Sequence, residues 1–300
     1  MSIDLDAVTR LWWPDAKTLA CTRLTGGVSA DVWRAADVDD AGNPRREAVF
    51  RLCAAGQDAA VERQRLQMLR AAGVPAPMPL WHGVLDEGFG DASGRTVLAM
   101  DVVDGATRLP DDVDDALAQM AAVLAQVHRV ALDRAVDALS PLENPLDEVG
   151  AFIDKLTDVD DAIRRDAHDA VAAWRRRPNP DVFVHGDFWP GNILWKDGAI
   201  AAVIDVEDAA RGDALADLAT ARVELQCALG SAAKETFTTL FLQHSDLDTH
   251  DLPLWELYAS SASLAFMGVW GLPPDEEAHR RQHTQLCFAQ ALASMRAAQP

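Results

Sequence analysis

The spacing of apolar residues changes from strand-like to helical near Gly105, and this change constrains the fold more than any other feature of the sequence. Before it, short apolar runs at Val32–Arg34, Ala48–Leu52 and Thr96–Met100 predict strands. A helical pattern from Asp58 to Ala72 lies among them and ends at a Gly-Val-Pro sequence. The first hundred residues are therefore expected to form a small antiparallel-sheet lobe with one main helix.

The rest of the chain has mostly helical patterns. These run from Asp114 to Arg129, from Asp147 through Trp174 as one long helix, and from Asp213 to Ala298 as several helices broken at Gly230, Pro253 and Gly271–Pro274. A short strand at Val182–Val184 and a hairpin between Ile193 and Ile204 interrupt them. The sequence predicts an α+β, two-lobed fold: an N-terminal lobe at 1–103, a hinge at about 99–105, and a larger, mostly helical lobe at 104–300.

The formal net charge of the 300 residues is −20, and this excludes nucleic acid as a partner because phosphate binding requires a basic surface. An acidic surface attracts cations, so a cationic small molecule is one interpretation of the charge. Plain solubility is the other. The four cysteines show no paired spacing, which predicts reduced thiols.

No stretch of the sequence has the roughly 18 to 20 apolar residues that span a bilayer, so a membrane protein is not expected. The N-terminal segment carries Asp4 and Asp6 and lacks the basic and apolar regions of a signal peptide. We therefore expect a cytoplasmic protein. The oligomeric state, monomer or homodimer, is left open.

Three polar residues have a spacing that suits phosphoryl transfer. Asn192 follows Asp187 by five residues, and Asp205 comes thirteen residues later, at the end of the apolar run Ala202–Ile204. In protein kinases a carboxylate accepts the proton of the acceptor hydroxyl, while an amide and a second carboxylate hold Mg²⁺. Hard oxygen ligands are the ones that Mg²⁺ prefers. An isolated His-Gly-Asp sequence is common and can be a simple turn, but all three residues in register favour the catalytic interpretation.

The same segments resemble the aminoglycoside phosphotransferase family. The resemblance rests on His185–Asn192, on Ile204–Glu207, and on Gly212-Asp213 followed by Asp217–Ala219. It covers nearly the whole chain and implies a protein-kinase-like fold, with ATP and Mg²⁺ as cofactors and a small molecule as the acceptor. It also implies that Asp187 is the catalytic base and that Asn192 and Asp205 are the Mg²⁺ ligands.

Further upstream the resemblance implies a nucleotide site in the N-terminal lobe. Leu24–Ser29 resembles the nucleotide loop of the family, and Leu98–Gly105 resembles its hinge. Paired glycines often mark only a turn, but this loop lies between two strand-like segments, where backbone amides can bind phosphate oxygens. The cofactor-binding residues expected in these two segments are Gly26, Gly27, Ser29, Met100, Asp101 and Val103.

Arg51 is a departure from the kinase pattern, which has lysine at this position of the phosphate-binding strand. The sequence has no lysine between Lys17 and Lys155, so Arg51 is the candidate cation for phosphate. A guanidinium group can bind phosphate or a carboxylate with two parallel hydrogen bonds. Glu62 on the following helix is its expected partner and a cofactor-site residue, with Glu47 as a competitor.

Residues near the catalytic segment have more ordinary interpretations. His185 is expected to brace the loop by hydrogen bonding, and Asp213 and Asp217 to serve structure, with Asp217 anchoring the catalytic segment. His128 is interpreted as a core histidine. Glu207 is interpreted either as a helper at the site or as a solvated residue.

The acceptor is the least determined part of the prediction. Candidate pocket residues are mostly acidic, and solvated helix faces explain their spacing equally well; they are Asp154, Asp158, Asp160, Asp161, Asp166, Trp255, Glu256, Trp270, Asp275, Glu276 and Glu277. An aminoglycoside-like or other amine- or sugar-bearing acceptor is the first hypothesis, and a ketosamine, choline or macrolide acceptor is the alternative. A nucleotide-binding module without catalysis and a non-enzymatic acidic scaffold are the hypotheses from other classes.

Overall fold

A computed structural model describes residues 3–24, 30–132 and 136–298. The described residues of the N-terminal lobe form two α-helices and five strands: α1 (Leu5–Trp12), β1 (Leu19–Arg23), β2 (Asp31–Val38), β3 (Pro44–Leu52), α2 (Ala59–Ala71), β4 (Pro79–Val84) and β5 (Thr96–Met100). The predicted helix after Asp58 is confirmed, and the carboxylate of Asp58 caps it by accepting from the amide of Ala60 at 2.8 Å.

The five strands form one antiparallel sheet in the order β1-β2-β3-β5-β4. One face of this sheet packs around Trp33 and Phe50, whose rings stack at 5.4 Å and are fully buried. Helix α1 covers the same core with Val8, and Trp13 directly after it makes an edge contact with Phe50 at 5.7 Å. Neither α1 nor β4 was expected from the sequence, since both are short segments that become ordered by packing.

The C-terminal lobe is mostly helical and carries two short antiparallel pairs of strands. Its elements are α3 (Val113–Val127), α4 (Pro145–Asp154), α5 (Asp161–Ala173), β6 (Asp181–Val184), β7 (Ile193–Lys196), β8 (Ala199–Val203), β9 (Ala210–Asp213), α6 (Leu215–Leu229), α7 (Ser231–Leu242), α8 (Leu252–Phe266) and α9 (Pro274–Ala297). Strand β6 pairs with β9, and β7 pairs with β8, both antiparallel. The predicted α+β fold with two lobes is confirmed.

The prediction of one long helix from Asp147 through Trp174 is wrong, because the segment forms two helices. Helix α4 ends at Asp154, and α5 begins at Asp161. Asp160 caps the second helix by accepting from the amide of Ala162 at 2.7 Å. A capping aspartate stabilises a new helix start more than helix continuation, and Leu156 between the two helices is buried in the core.

The chain after β5 joins the two lobes covalently, and hydrogen bonds from Arg65 add polar contacts between them. Asp101 follows β5 and exchanges hydrogen bonds with Met78, accepting from its amide at 2.6 Å and donating its own amide at 2.9 Å. Arg65 of α2 donates to the carbonyl groups of Ala138 at 2.9 Å and of Val206 at 3.0 Å in the other lobe. The predicted lobe boundary at 103/104 lies in this connection and stays a prediction. Among the described helices, none combines the length and the apolar character needed to cross a bilayer.

Candidate active site

The predicted catalytic loop connects β6 to β7, and Asp187 lies in its first half. A single turn at Pro190–Asn192 brings Asn192 back toward Asp187. The side-chain amide nitrogen of Asn192 donates to the Asp187 carboxylate at 2.8 Å and to its backbone carbonyl at 2.9 Å. Two of the three predicted residues are therefore in direct contact.

Asp217, near the start of α6, anchors this loop through hydrogen bonds to its backbone. Its fully buried carboxylate accepts from the backbone amides of His185 at 2.8 Å and Gly186 at 2.9 Å, and pairs with the His128 ring at 2.9 Å. Burial raises the pKa of Asp217, but the hydrogen bond and charge of His128 outweigh it, so the pKa lies below its usual range. The predicted anchoring by Asp217 and the predicted buried position of His128 are confirmed.

His185 connects the catalytic loop to the strand end that carries Asp205. Its ring is buried, with Nε2 3.1 Å from the carbonyl oxygen of Ile204, and its Nδ1 accepts from the amide of Asp187 at 3.3 Å. Burial lowers the pKa of His185, which favours the neutral ring that this pair of contacts requires. The predicted bracing by His185 is confirmed.

Arg51 lies at the centre of a cluster of carboxylates from both lobes. It contacts Asp205 at 2.8 Å and Glu62 at 3.3 Å, and it also pairs with Glu207. The competing partner, Glu47, is instead paired with Arg34. The expected Arg51–Glu62 ion pair is present, whereas its part in nucleotide binding stays a prediction.

The Arg51 cluster has the charge that a divalent cation would balance. One guanidinium and three carboxylates leave a surplus of two negative charges in a largely buried position. Burial raises the pKa of Glu62 although the charge of Arg51 opposes this rise. Asp205 has φ 62°, a left-handed conformation that is strained for a non-glycine residue and typical of functional sites.

Asn192 and Asp205 would supply an amide oxygen and a carboxylate to such a cation. The nitrogen of Asn192 is used toward Asp187, so the amide oxygen is the atom it offers to a metal. Among the described residues, no group of three or more His, Cys, Asp or Glu has metal-site geometry. Two protein ligands suit Mg²⁺, which keeps several waters and binds substrate phosphates.

Asp187 has an environment that suits a base working near neutral pH. Burial, followed by the negative charge of Glu224, raises the pKa of Asp187 to about 7. The hydrogen bond from Asn192 opposes this rise only partly. A carboxylate with this pKa can both hold and release a proton near pH 7.

The predicted nucleotide residues differ in how far the structure describes them. Gly26, Gly27 and Ser29 lie outside the described residues. Met100 ends β5, and Asp101 uses its carboxylate to hold Met78, as described above. Val103 follows in the connection to the second lobe, and the binding of nucleotide by all these residues stays a prediction.

The sequence model of one enzyme family matches residues 20–249, which include Arg51 and the complete loop from His185 to Asn192. The chain belongs to the phosphotransferase enzyme family. The resemblance described from the sequence is thereby confirmed. No curated protein matches the chain.

Solved structures with the fold of this family resemble the chain over nearly its full length. The aminoglycoside phosphotransferase APH(4)-Ia, in a ternary complex with AMP-PNP and hygromycin B, has a TM-score of 0.66 and 19% identity over 94% of this chain and 98% of that one. Aminoglycoside 2'-phosphotransferase-IIIa with GDP has a TM-score of 0.66 and 18% identity over 95% and 98%. A choline/ethanolamine kinase family protein from Mesorhizobium loti has a TM-score of 0.63 and 17% identity over 98% and 99%.

A cavity of about 380 Å³ opens beside Asp187 in the helical lobe of this family member. Its large side chains are Glu224 from α6, Tyr258 and Phe266 from α8, and Trp270. The rest of its described lining consists of smaller residues: Gly186, Thr220, Val223, Ala259, Ala262 and Ser263. The cavity therefore adjoins the predicted catalytic base.

The acidic residues proposed from the sequence as pocket walls do not line this cavity, and of the whole set only Trp270 does. Most of the acidic side chains in this set instead pair with basic residues, and their place in an acceptor pocket stays a prediction. The pairs are Asp154–His168, Asp158–Arg281, Asp161–Arg164, Asp166–Arg296, Glu256–Arg222, Glu276–Arg280 and Glu277–Arg281.

Sequence reasoning missed Glu224, although a signal for it exists. Glu224 follows Asp217 by seven residues, which is two helical turns, so both lie on the same side of α6. Asp217 was already expected to face the catalytic loop. Glu224, two turns later on α6, is therefore expected to lie on the side of the helix that faces the same loop.

Gly186 allows the loop to pass close to the chain after Asp205, and its replacement by alanine is expected to disrupt the site. The residue has φ 88°, and an added Cβ would lie 2.3 Å from the carbonyl oxygen of Asp208. We expect Gly186→Ala to lower the free energy of unfolding by ~3 kcal/mol or more, as measured by urea denaturation, and to lower kcat strongly.

Gly198→Ala is the matched control for this substitution. Gly198 has φ 80° with no atom within 4 Å of an added Cβ, so it tests backbone strain alone. The control is expected to cost about 1–2 kcal/mol. Equal losses in both variants would show that the close approach to Asp208 is unimportant.

Proposed function

We propose that the chain is a kinase that uses ATP and Mg²⁺ to phosphorylate a hydroxyl group of a small molecule. The observation that carries the proposal is the position of Asp187, which contacts Asn192 on one side and lines a cavity on the other. The Arg51 cluster, which includes Asp205, is the position where we expect the phosphate groups to bind. Membership of the phosphotransferase enzyme family supports the same reaction class.

In the proposed reaction the acceptor enters the cavity with its hydroxyl toward Asp187. Asp187 orients the hydroxyl and accepts its proton as the oxygen attacks the γ-phosphorus of ATP. The bond between the γ-phosphorus and the oxygen bridging it to the β-phosphate breaks, and ADP leaves with that oxygen. The products are ADP and the phosphorylated acceptor.

Asn192 and Asp205 are the residues that would hold Mg²⁺. The ion, when bound, neutralises negative charge on the phosphates during transfer. Arg51 binds phosphate oxygens in the proposed complex, with Glu62 holding its guanidinium. Gly26, Gly27 and Ser29 are proposed to contact the phosphates, and Met100, Asp101 and Val103 to contact the nucleotide at the hinge.

Asp205→Asn is expected to separate metal binding from protein folding. The change removes a carboxylate ligand, so the Mg²⁺ concentration that half-saturates ATP binding should rise by about 10- to 100-fold. Calorimetric titration of ATP at several Mg²⁺ concentrations measures this shift, and release of ADP with an alcohol acceptor reports turnover.

Glu47→Gln provides the control, because it also removes one negative charge from a paired carboxylate of the N-terminal lobe. This variant should keep the Mg²⁺ dependence of the unmodified chain. The proposal is wrong if the unmodified chain binds ATP equally well without Mg²⁺, or if Asp205→Asn leaves the dependence unchanged.

A further inference from the structure

The cavity beside Asp187 has an apolar and aromatic wall. Tyr258, Phe266 and Trp270 supply three rings, while Thr220 and Ser263 supply the small hydroxyl groups. Phe266 is 41% exposed, which leaves an apolar surface at the cavity for a ligand to cover. A cavity of this size and composition fits a compact molecule with an apolar body.

The carboxylates in this wall are few, and one of them already has a cationic partner. Among the described lining residues, Asp187 and Glu224 are the only carboxylates. Glu224 accepts a hydrogen bond from Arg280 at 2.8 Å, and both side chains are largely buried. Burial lowers the pKa of Arg280, but the charge of Glu224 outweighs this and holds the pKa of Arg280 above its usual value. Arg280 therefore offsets part of the negative charge that Glu224 would present to an acceptor.

Two protein cations border the same region. The guanidinium of Arg280 lies over the ring of Trp189 at 5.4 Å, and the ammonium of Lys155 lies 4.6 Å from the ring centre of Phe266. An acceptor with several ammonium groups would bring some of them close to these cations. The carboxylates that border the same region already have partners, since Glu148 accepts from the Tyr258 hydroxyl at 2.8 Å and Glu276 pairs with Arg280. The large negative charge of the whole chain attracts cations at a distance, but the described wall of the cavity has two carboxylates for a polycation to pair with.

We propose that the acceptor is a compact alcohol with an apolar body and at most one positive charge, rather than a polyamine. The reaction at its hydroxyl rests on the proposed kinase function. The binding preference does not rest on that function, since it follows from the rings, the Glu224–Arg280 pair and the neighbouring Lys155. Tyr258, Phe266 and Trp270 cover the apolar body, and the hydroxyl faces Asp187.

Three probe compounds test this preference by calorimetry on the complete chain without nucleotide. They are phenylbutanol, which is neutral, the benzyl(hydroxyethyl)dimethylammonium ion, which carries one charge, and kanamycin, which carries several. We expect both aromatic alcohols to bind at least about 10-fold more tightly than kanamycin at low salt. Tighter binding of kanamycin, or no binding of either aromatic alcohol, overturns the proposal.

Variants of the Glu224–Arg280 pair test the cause of the preference. Arg280→Met keeps an unbranched side chain against Trp189 and exposes the charge of Glu224, so affinity for kanamycin should rise by about 10-fold while affinity for phenylbutanol changes little. Glu224→Gln should instead weaken binding of the singly charged alcohol, and the double variant should return toward the unmodified chain. Equal effects on all three compounds would contradict the role of charge.

Release of ADP from ATP, measured with the same compounds, separates this inference from the proposed function. Binding in the expected order without ADP release from any compound means that the kinase assignment fails while the binding preference stands. ADP release with kanamycin at a higher kcat/KM than with either aromatic alcohol means that the kinase assignment stands and the acceptor class is wrong.

Discussion

Asp187→Asn is expected to lower kcat by about 10²- to 10⁴-fold, because it removes the group proposed to accept the hydroxyl proton. The substitution keeps the size of the side chain and an oxygen that can accept from Asn192, which contacts Asp187 at 2.8 Å. Affinity for ATP with Mg²⁺ should stay within a few-fold of the unmodified chain. Steady-state ADP release and calorimetry measure the two quantities separately.

Asp197→Asn is the matched control for this experiment. Asp197 is exposed in the turn between β7 and β8, and asparagine tolerates its φ of 51° well. The control removes the same charge ten residues away and should leave kcat unchanged. A fully active Asp187→Asn enzyme would exclude Asp187 as the catalytic base.

Asp217→Asn is expected to lower the free energy of unfolding by about 3 kcal/mol and to reduce activity through the catalytic loop. One carboxylate oxygen accepts from the amide of Gly186, and the other accepts from that of His185 and pairs with His128. Either orientation of an asparagine amide places its NH₂ group against at least one backbone N–H. Urea denaturation measures the loss, and Asp114→Asn, which changes an exposed aspartate, is the control.

The effect of Asp217 should also depend on pH in a defined direction. Its pKa in the folded chain lies below the value of about 3.9 for an unfolded aspartate. Its stabilisation is therefore present above about pH 4 and is lost as the pH falls through the folded-state pKa. The difference in unfolding free energy between the unmodified chain and Asp217→Asn should be present at pH 5 and narrow below pH 4. A difference that grows on acidification would contradict the assigned ion pair.

The parts of the fold that sequence predicted well are those set by local patterns. The helix that follows Asp58, the strands β3 and β5, and the hairpin after Asn192 each depend on residues close together in the chain. The spacing of Asp187, Asn192 and Asp205 is likewise set by one loop and the hairpin that follows it. Such features can be predicted without knowing the contacts between distant segments.

The parts that sequence did not predict depend on contacts between distant segments. The cavity is formed by α6, α8 and the residues after α8, and no local pattern indicates which helix faces will meet. The acidic helices appeared suited to a cationic acceptor, but arginines and histidines on neighbouring elements neutralise much of that charge. The break between α4 and α5 was missed because Asp160 was interpreted as part of a continuous charged helix.

Helix α6 carries both Asp217, which fixes the catalytic loop, and Glu224, which borders the cavity, whereas Tyr258, Phe266 and Arg280 come from α8 and α9. The support of the catalytic loop and most of the large side chains of the cavity are thus carried by different helices. Under the proposed function, we expect substitutions on α8 and α9 to change ligand preference while the support of Asp187 stays in place. This separation makes the cavity a suitable place for substitutions that adapt the protein to new acceptors.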